Sequence, residues 1–129
     1  MIHLNTIIEV GDNSGAQSVK CVNTGKGKSN SAQIGDIIKV SIYKNDNSVK
    51  LIKIKKIYKA LVVNSCQRKS RLNGIYQKWN KNRVLMLSDN LNFLGTRVYG
   101  SISKLIKIKK KKKEGTFRST ILSYSRGYG

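Results

Sequence analysis

From Gln17 to Leu87 the chain repeats one device: a short run of alternating aliphatic and polar residues, closed by a cluster of turn formers. In Ile38–Tyr43 the residues Ile38, Val40 and Ile42 alternate with Lys39, Ser41 and Tyr43. A period of two sends these sets to opposite faces of a half-buried strand. Thr6–Val10, Gln17–Asn23 (Val19 and Cys21 on one face), Val49–Ile57 (Ile52-Lys53-Ile54-Lys55), Ile75–Trp79 and Val84–Leu87 are also strand-like. Lys59–Asn64 carries the continuous run Leu61-Val62-Val63. Between the runs lie the turn clusters Gly25–Ala32, Asn45–Ser48, Leu72–Gly74 and Ser88–Asn92. Many short strands at this spacing, within 129 residues, predict a single mainly β unit, a small barrel or sandwich.

The C-terminal part is different. From Ser101 the apolar positions Ile102, Leu105 and Ile106 fit one face of a short helix, while Ile106 and Ile108 fit a strand equally well. We therefore divide the chain into a β-barrel, residues 1–100, and a short helical segment with a basic, partly extended tail, residues 101–129. Lys109–Lys113 is a run of lysines that repel one another and lie in solvent or along RNA. The tail from Thr116 to Gly129 carries Phe117, Arg118, Tyr124, Arg126 and Tyr128 among serines and glycines, and alone it is expected to be poorly ordered.

Charge narrows the function. Twenty-six Lys and Arg face six Asp and Glu, a formal net charge of +20. Such a chain repels itself on compaction and suits a polyanionic partner. Nucleic acid is the leading candidate, because clustered cations release counterions condensed on phosphates. An anionic membrane surface fits less well, since no long segment pairs an apolar and a basic face at helical period. No apolar run approaches the ~18 residues of a membrane span. Met1-Ile2-His3-Leu4-Asn5 has the form of neither a secretory signal nor an Arg-rich transit peptide. Lys, Ile and Asn, with A/T-rich codons, are abundant, and proline is absent. That skew points to an A/T-rich genome, and among these to an organelle, the mitochondrion first, with plastid or bacterial cytoplasm as alternatives.

Groups for catalysis are scarce. The lone histidine, His3, is near the terminus and the carboxylates are scattered, so no acid, base and nucleophile set assembles. Cys21 and Cys66 stand apart with no C-x-x-C, which argues against zinc. They are expected to be reduced, half-buried strand residues. Gly25-Lys26-Gly27-Lys28-Ser29 ends like a phosphate-binding P-loop, but Val22 stands where its first glycine belongs. The G-x-G-x-x-G pattern fails there too, at Asn30. The stretch is a basic loop. No enzyme activity, cofactor or metal is expected.

The candidate RNA contacts are distributed. Lys26 and Lys28 lie in the basic loop. Arg68, Lys69 and Arg71 lead into Leu72-Asn73-Gly74, a hairpin-type turn, followed by Tyr76, Lys78, Trp79, Lys81 and Arg83. On a strand, Tyr76, Lys78 and Asn80 share one face and can meet phosphate, while Trp79 on the other packs into the core. Exposed aromatics would instead stack on bases. Arg97, in Leu94–Gly100, is flanked by residues with buried character, which would aim its guanidinium at phosphate; an internal salt bridge is the alternative. Asn13 and Ser14 lie in "GDNSGAQ" (Gly11–Gln17), a turn whose main duty is geometric and which offers a further contact. Lys104, Lys107, Lys109, Lys110, Lys111, Lys112 and Lys113 complete the set.

Five blocks occur in a specific order: "GDNSGA" (Gly11–Ala16), "IGDIIKV" (Ile34–Val40), "KALVV" (Lys59–Val63), a basic stretch with "NG" (Asn73–Gly74), and "GTRVYGSI" (Gly95–Ile102). Together they resemble the universal large-subunit ribosomal protein L fourteen family, over roughly Met1 to Lys107. The resemblance implies a closed five-stranded β-barrel followed by a short helical C-terminal piece. It implies binding to large-subunit rRNA at the face that meets the small subunit, with an inter-subunit bridge to small-subunit rRNA. It also implies proteins L three and L nineteen as neighbours and a ribosome-silencing factor docking on the same face. Ser101 after Gly100 and Leu72 before Asn73 stand where the family usually has proline, and Lys109–Lys113 with the tail departs from the usual ending. Without the resemblance, the runner-up is a free single-stranded nucleic-acid binder of OB or cold-shock type, against which the scattered aromatics weigh.

Overall fold

The structure, a computed structural model, describes residues 1–25, 27, 31–46, 52–103, 106 and 125–128. Five strands close into a barrel: β1 (Ile7–Val10), β2 (Ala16–Asn23), β3 (Ile37–Asn45), β4 (Ile57–Asn64) and, after a small hairpin of β5 (Lys69–Ser70) and β6 (Tyr76–Gln77), β7 (Arg83–Leu87). β1 to β4 pair antiparallel in sequence order, and β4 pairs antiparallel with β7. The ring shuts where β7 runs parallel to β1, through Glu9↔Arg83 and Val10↔Val84. Closure satisfies the backbone groups that an open sheet would expose at its edges. Two further strands, β8 (Val98–Ile102) and β9 (Ser125–Tyr128), pair in parallel outside the barrel.

The alternation predicted for β2 and β3 is the one observed. Val19, Cys21, Ile38, Val40 and Ile42 point into the barrel, where they meet Ile8, Tyr58, Ala60, Val62, Val84 and Met86. β4 and β7 bury both faces. Leu61 and Val63 on β4 and Leu85 and Leu87 on β7 point outward into a second cluster with Val98 and Ile102 of β8. The continuous runs Leu61-Val62-Val63 and Val84-Leu85-Met86-Leu87 therefore follow from two-sided burial. Each fully buried aliphatic side chain there contributes about 1.5–3 kcal/mol relative to its exposed state.

Four expectations are corrected. Of the alternating run Val49–Ile57, the part Ile52–Lys56 is not a strand but a turn into β4, which Ile57 opens; 47–51 lie outside the described residues. β3 already has β2 and β4 on its two sides, so this run has no free ladder to join. Its backbone is held instead by Lys53 N–H donating to the Tyr58 hydroxyl at 2.9 Å and Lys56 N–H donating to the Lys53 carbonyl at 3.3 Å. Second, Ser101 and Ile102, where the C-terminal helix was expected to begin, belong to β8, because Ile102 is drawn onto the outer face of the barrel. Beyond them Ile106, half-buried, lies in a helical turn with its N–H donating to the Ser103 carbonyl at 3.4 Å, and the rest of the helical pattern, at Lys104, Leu105 and 107–108, lies outside the described residues. Third, Trp79 is half-buried and belongs to neither core cluster. The barrel closes with β7, so the short strand before Trp79 pairs only with β5 and presents no face to the core. Fourth, the two cysteines differ: Cys21 is a buried strand residue, whereas Cys66 lies half-buried in a bend after β4. Both are free thiols, and burial pushes that of Cys21 up.

Candidate nucleic-acid interface

The turn "GDNSGAQ" joins β1 to β2, with Gly15 at φ 104°, a conformation that a side chain would strain. Asp12 within it is buried. Its Oδ1 accepts from the Ser14 N–H at 3.2 Å and the Ser14 hydroxyl at 2.5 Å, and its Oδ2 accepts from the Met86 N–H at 2.9 Å. β1 leaves β7 just before this point, after Gly11 N–H donates to the Val84 carbonyl at 2.9 Å. The Asp12 carboxylate thus continues the β7 ladder where the strand has turned away. Desolvation pushes its carboxyl above the ordinary value, and the bonds from Ser14 and Met86 pull the other way.

Asn13 is a clamp on a distant loop. Its Oδ1 accepts from the Thr96 and Arg97 N–H groups at 2.8 and 3.1 Å, and its Nδ2 donates to the Thr96 hydroxyl at 2.9 Å. Gly95 makes this fit possible, since a Cβ there would sit 2.9 Å from both Asn13 Oδ1 and Asp12 Cβ. Gly95→Ala is accordingly expected to loosen the clamp and cost about 1–3 kcal/mol, read as a lower urea midpoint with unchanged slope. Ser14 is fully buried with its hydroxyl on Asp12, so the RNA contact expected of it is corrected to a turn-building role. Arg97 is exposed rather than flanked by cover on both sides. Thr96 beside it is exposed as well, and the clamp holds the Arg97 backbone while its side chain faces solvent.

The expected basic hairpin forms. Lys69 pairs with Gln77 and Ser70 with Tyr76, around a tip where Gly74 adopts φ 79°. Arg71 N–H donates to the Ile75 carbonyl at 2.8 Å, and Gly74 N–H to the Arg71 carbonyl at 3.0 Å. The cations are preset on this frame. The Arg68 guanidinium lies over the Tyr76 ring, 4.0 Å from its centre, and Arg71 donates through Nε and Nη2 to Gln77 Oε1. The tip residue Leu72 is fully exposed, and the hairpin forms a two-stranded sheet separate from the barrel.

Lys78 and Lys81 gather with Arg83 around an open pocket whose walls include Asn64, Trp79 and Ser101. Arg83 carries signal that alternation alone hid, because it begins a core strand. Its Nε donates to Glu9 Oε2 at 3.2 Å and its Nη1 to the Tyr99 carbonyl at 3.2 Å. Lys81 Nζ lies 3.0 Å from the other Glu9 oxygen. The hydrogen bond from Lys81 first, then that from Arg83, holds the Glu9 carboxyl below its usual value against a desolvation cost. Other carboxylates are engaged similarly: Asp36 accepts from the Gln33 N–H at 2.8 Å, and Asp89 pairs with Lys56 at 3.3 Å. The candidates Lys26, Lys28, Lys104, Lys107 and Lys109–Lys113 lie outside the described residues.

A sequence comparison adds the family. The family model described as "Ribosomal protein L14p/L23e" matches residues 1–119. The chain belongs to this ribosomal protein family. A curated relative, "Large ribosomal subunit protein uL14" of Carsonella ruddii (strain PV), is 38% identical over 111 residues, spanning 85% of this chain and 90% of the relative. As a member of the L14p/L23e family the chain is a structural, RNA-binding ribosomal protein and not an enzyme. The match runs past Lys107, where the sequence resemblance was placed to end, and takes in the lysine run. The bacterial relative fits a bacterial or organellar ribosome.

Proposed function

We propose that the chain is a constituent of the large ribosomal subunit that neutralises large-subunit rRNA phosphates and lies at the subunit interface. The observation that carries this reading is the separation of charge. Glu9, Asp12, Asp36 and Asp89 are engaged inside the chain, while Arg68, Lys78 and Arg97 remain exposed on a rigid barrel or its hairpin. Preset cations on a closed frame suit recognition by phosphate contact and shape. The contacts we assign are Arg68, Lys69, Arg71, Lys78, Lys81 and Arg97. Asn13 supports Arg97, and Lys26, Lys28, Lys104, Lys107 and Lys109–Lys113 extend the set. Small-subunit rRNA across an inter-subunit bridge, proteins L three and L nineteen, and a silencing factor are the further partners of this reading. A mitochondrial ribosome is its compartment, resting on the A/T-type composition.

A second reading, a free single-stranded nucleic-acid binder, draws on the five-stranded barrel itself with the exposed aromatics Tyr43, Tyr76 and Tyr99. Sedimentation of a lysate separates the two. The ribosomal reading expects co-migration with the large subunit, weakened by high salt. Protein found only in light fractions, beside intact subunits, favours the second reading.

A further inference from the structure

Beside the barrel mouth, where the end of β4, the start of β7 and β8 converge, lies an open pocket of about 350 Å³. Two polar groups on its wall residues stand unpaired among the described residues: Asn64 Oδ1 and Trp79 Nε1. Asn64 is only 3% exposed, and its orientation is fixed by Nδ2 donating to the Ser101 carbonyl at 2.9 Å. Buried polar atoms without partners are rare because each retains the cost of its lost hydration. The same pocket is rimmed by Lys78, Lys81 and Arg83, of which the last two share the single carboxylate of Glu9. The rim therefore keeps an excess of positive charge.

We propose that this pocket takes one unstacked nucleotide of a single-stranded RNA segment, its base against Trp79 and Asn64 and its phosphate on the Lys78, Lys81 and Arg83 rim. A base supplies what the walls lack: an acceptor for the indole N–H, a donor for the Asn64 oxygen and a flat face for the ring. A peptide segment also offers an acceptor and a donor but brings no phosphate to the cationic rim, and a bare phosphate brings no flat face. A paired A-form helix keeps its bases stacked inside, so only a loop, bulge or end reaches the site. Trp79 Nε1 and Asn64 Oδ1 are both shielded from solvent in the free chain. Entry of a base consequently requires the half-buried indole to shift, and its emission reports the event.

This proposal rests on the RNA-binding reading above, and the test keeps the two apart. Trp79 is the chain's only tryptophan, so its fluorescence reads this pocket alone. The full chain is titrated with single-stranded oligonucleotides of about eight residues, with a blunt duplex of the same length, with inorganic polyphosphate and with adenosine monophosphate. Anisotropy of labelled RNA measures total binding in parallel. The single strands are expected to change Trp79 emission, whereas duplex and polyphosphate bind without doing so. Trp79→Leu is expected to weaken single-strand binding about tenfold and to leave duplex affinity unchanged, which also certifies that the variant folds. Single-strand binding with Trp79 emission unmoved, or an equal change with duplex or polyphosphate, overturns the pocket and leaves the RNA-binding reading standing. Equal affinity for the free mononucleotide overturns the strand assignment, as does a Trp79→Leu variant that loses both affinities alike. Absence of all RNA binding overturns both readings.

Discussion

Asp12→Ala is expected to lower the unfolding free energy by about 3–5 kcal/mol, the largest loss from any polar residue described. The substitution leaves the Met86 and Ser14 N–H groups and the Ser14 hydroxyl without their acceptor, all in buried positions. It also removes the group that continues the ladder of β7 where β1 departs. Urea unfolding followed by far-UV circular dichroism measures it, and a loss under about 1 kcal/mol overturns the assignment. Asp12→Asn separates charge from hydrogen bonding. Its amide keeps one acceptor for Ser14 but turns a donor toward the Met86 N–H, so the loss is smaller and still clear. The pH dependence has a definite sign. The folded carboxyl of Asp12 titrates above its ordinary 3.8, so the native state binds the proton more readily than the unfolded chain. Stability from this group therefore rises as pH falls from the raised value toward 3.8, and the penalty is complete at neutral pH. Relative to Asp12→Asn, the unsubstituted chain gains stability across that window. Glu9 acts oppositely: its contribution is present above 4.5 and is lost as pH falls through its lowered folded value.

Replacing Arg68, Lys69 and Arg71 together by alanine is expected to weaken rRNA binding by about 10–100-fold near physiological salt. The slope of log affinity against log salt should fall by about 2–3, because each phosphate no longer neutralised by a side chain keeps roughly 0.7–0.9 of a counterion. The hairpin frame should persist, since Gly74 and the backbone bonds of its tip do not depend on these side chains. Anisotropy of labelled rRNA fragments across a potassium chloride series reads both quantities. An unchanged slope would place the phosphate contacts on other cations. Part of the effect is geometric: Arg68 is stacked on Tyr76 and Arg71 is forked onto Gln77, and neither is placed by charge alone.

Much of the barrel was legible because strand periodicity is local. Ile38, Val40 and Ile42 alternate in the chain as they do in the core, and no distant residue is needed to read them. The hairpin at Asn73–Gly74 was legible for the same reason, its φ 79° being demanded by two adjacent residues. The run Ile52-Lys53-Ile54-Lys55 misled because alternation states which side chains share a face and not whether a ladder is free. Trp79 misled because aromatic size favours burial only where the element carrying it faces the core. Asn13 and Ser14 share one turn, yet the first clamps Thr96 and Arg97 and the second vanishes beneath Asp12.

The sequence by itself determined the strand-rich class, the excess of cations, the basic hairpin and the family blocks, all properties of neighbouring residues or of their sum. Tertiary structure alone decided that β7 runs parallel to β1, that Asp12 bonds to Met86, and that Lys78, Lys81 and Arg83 share a pocket with Asn64 and Trp79. Glu9 and Asp12 lie 74 positions before their partners Arg83 and Met86, and Asn64 and Ser101 reach the segment from Lys78 to Arg83 from either side of it. Closing the barrel brings them together, and no local pattern encodes a contact whose free energy exists only after closure.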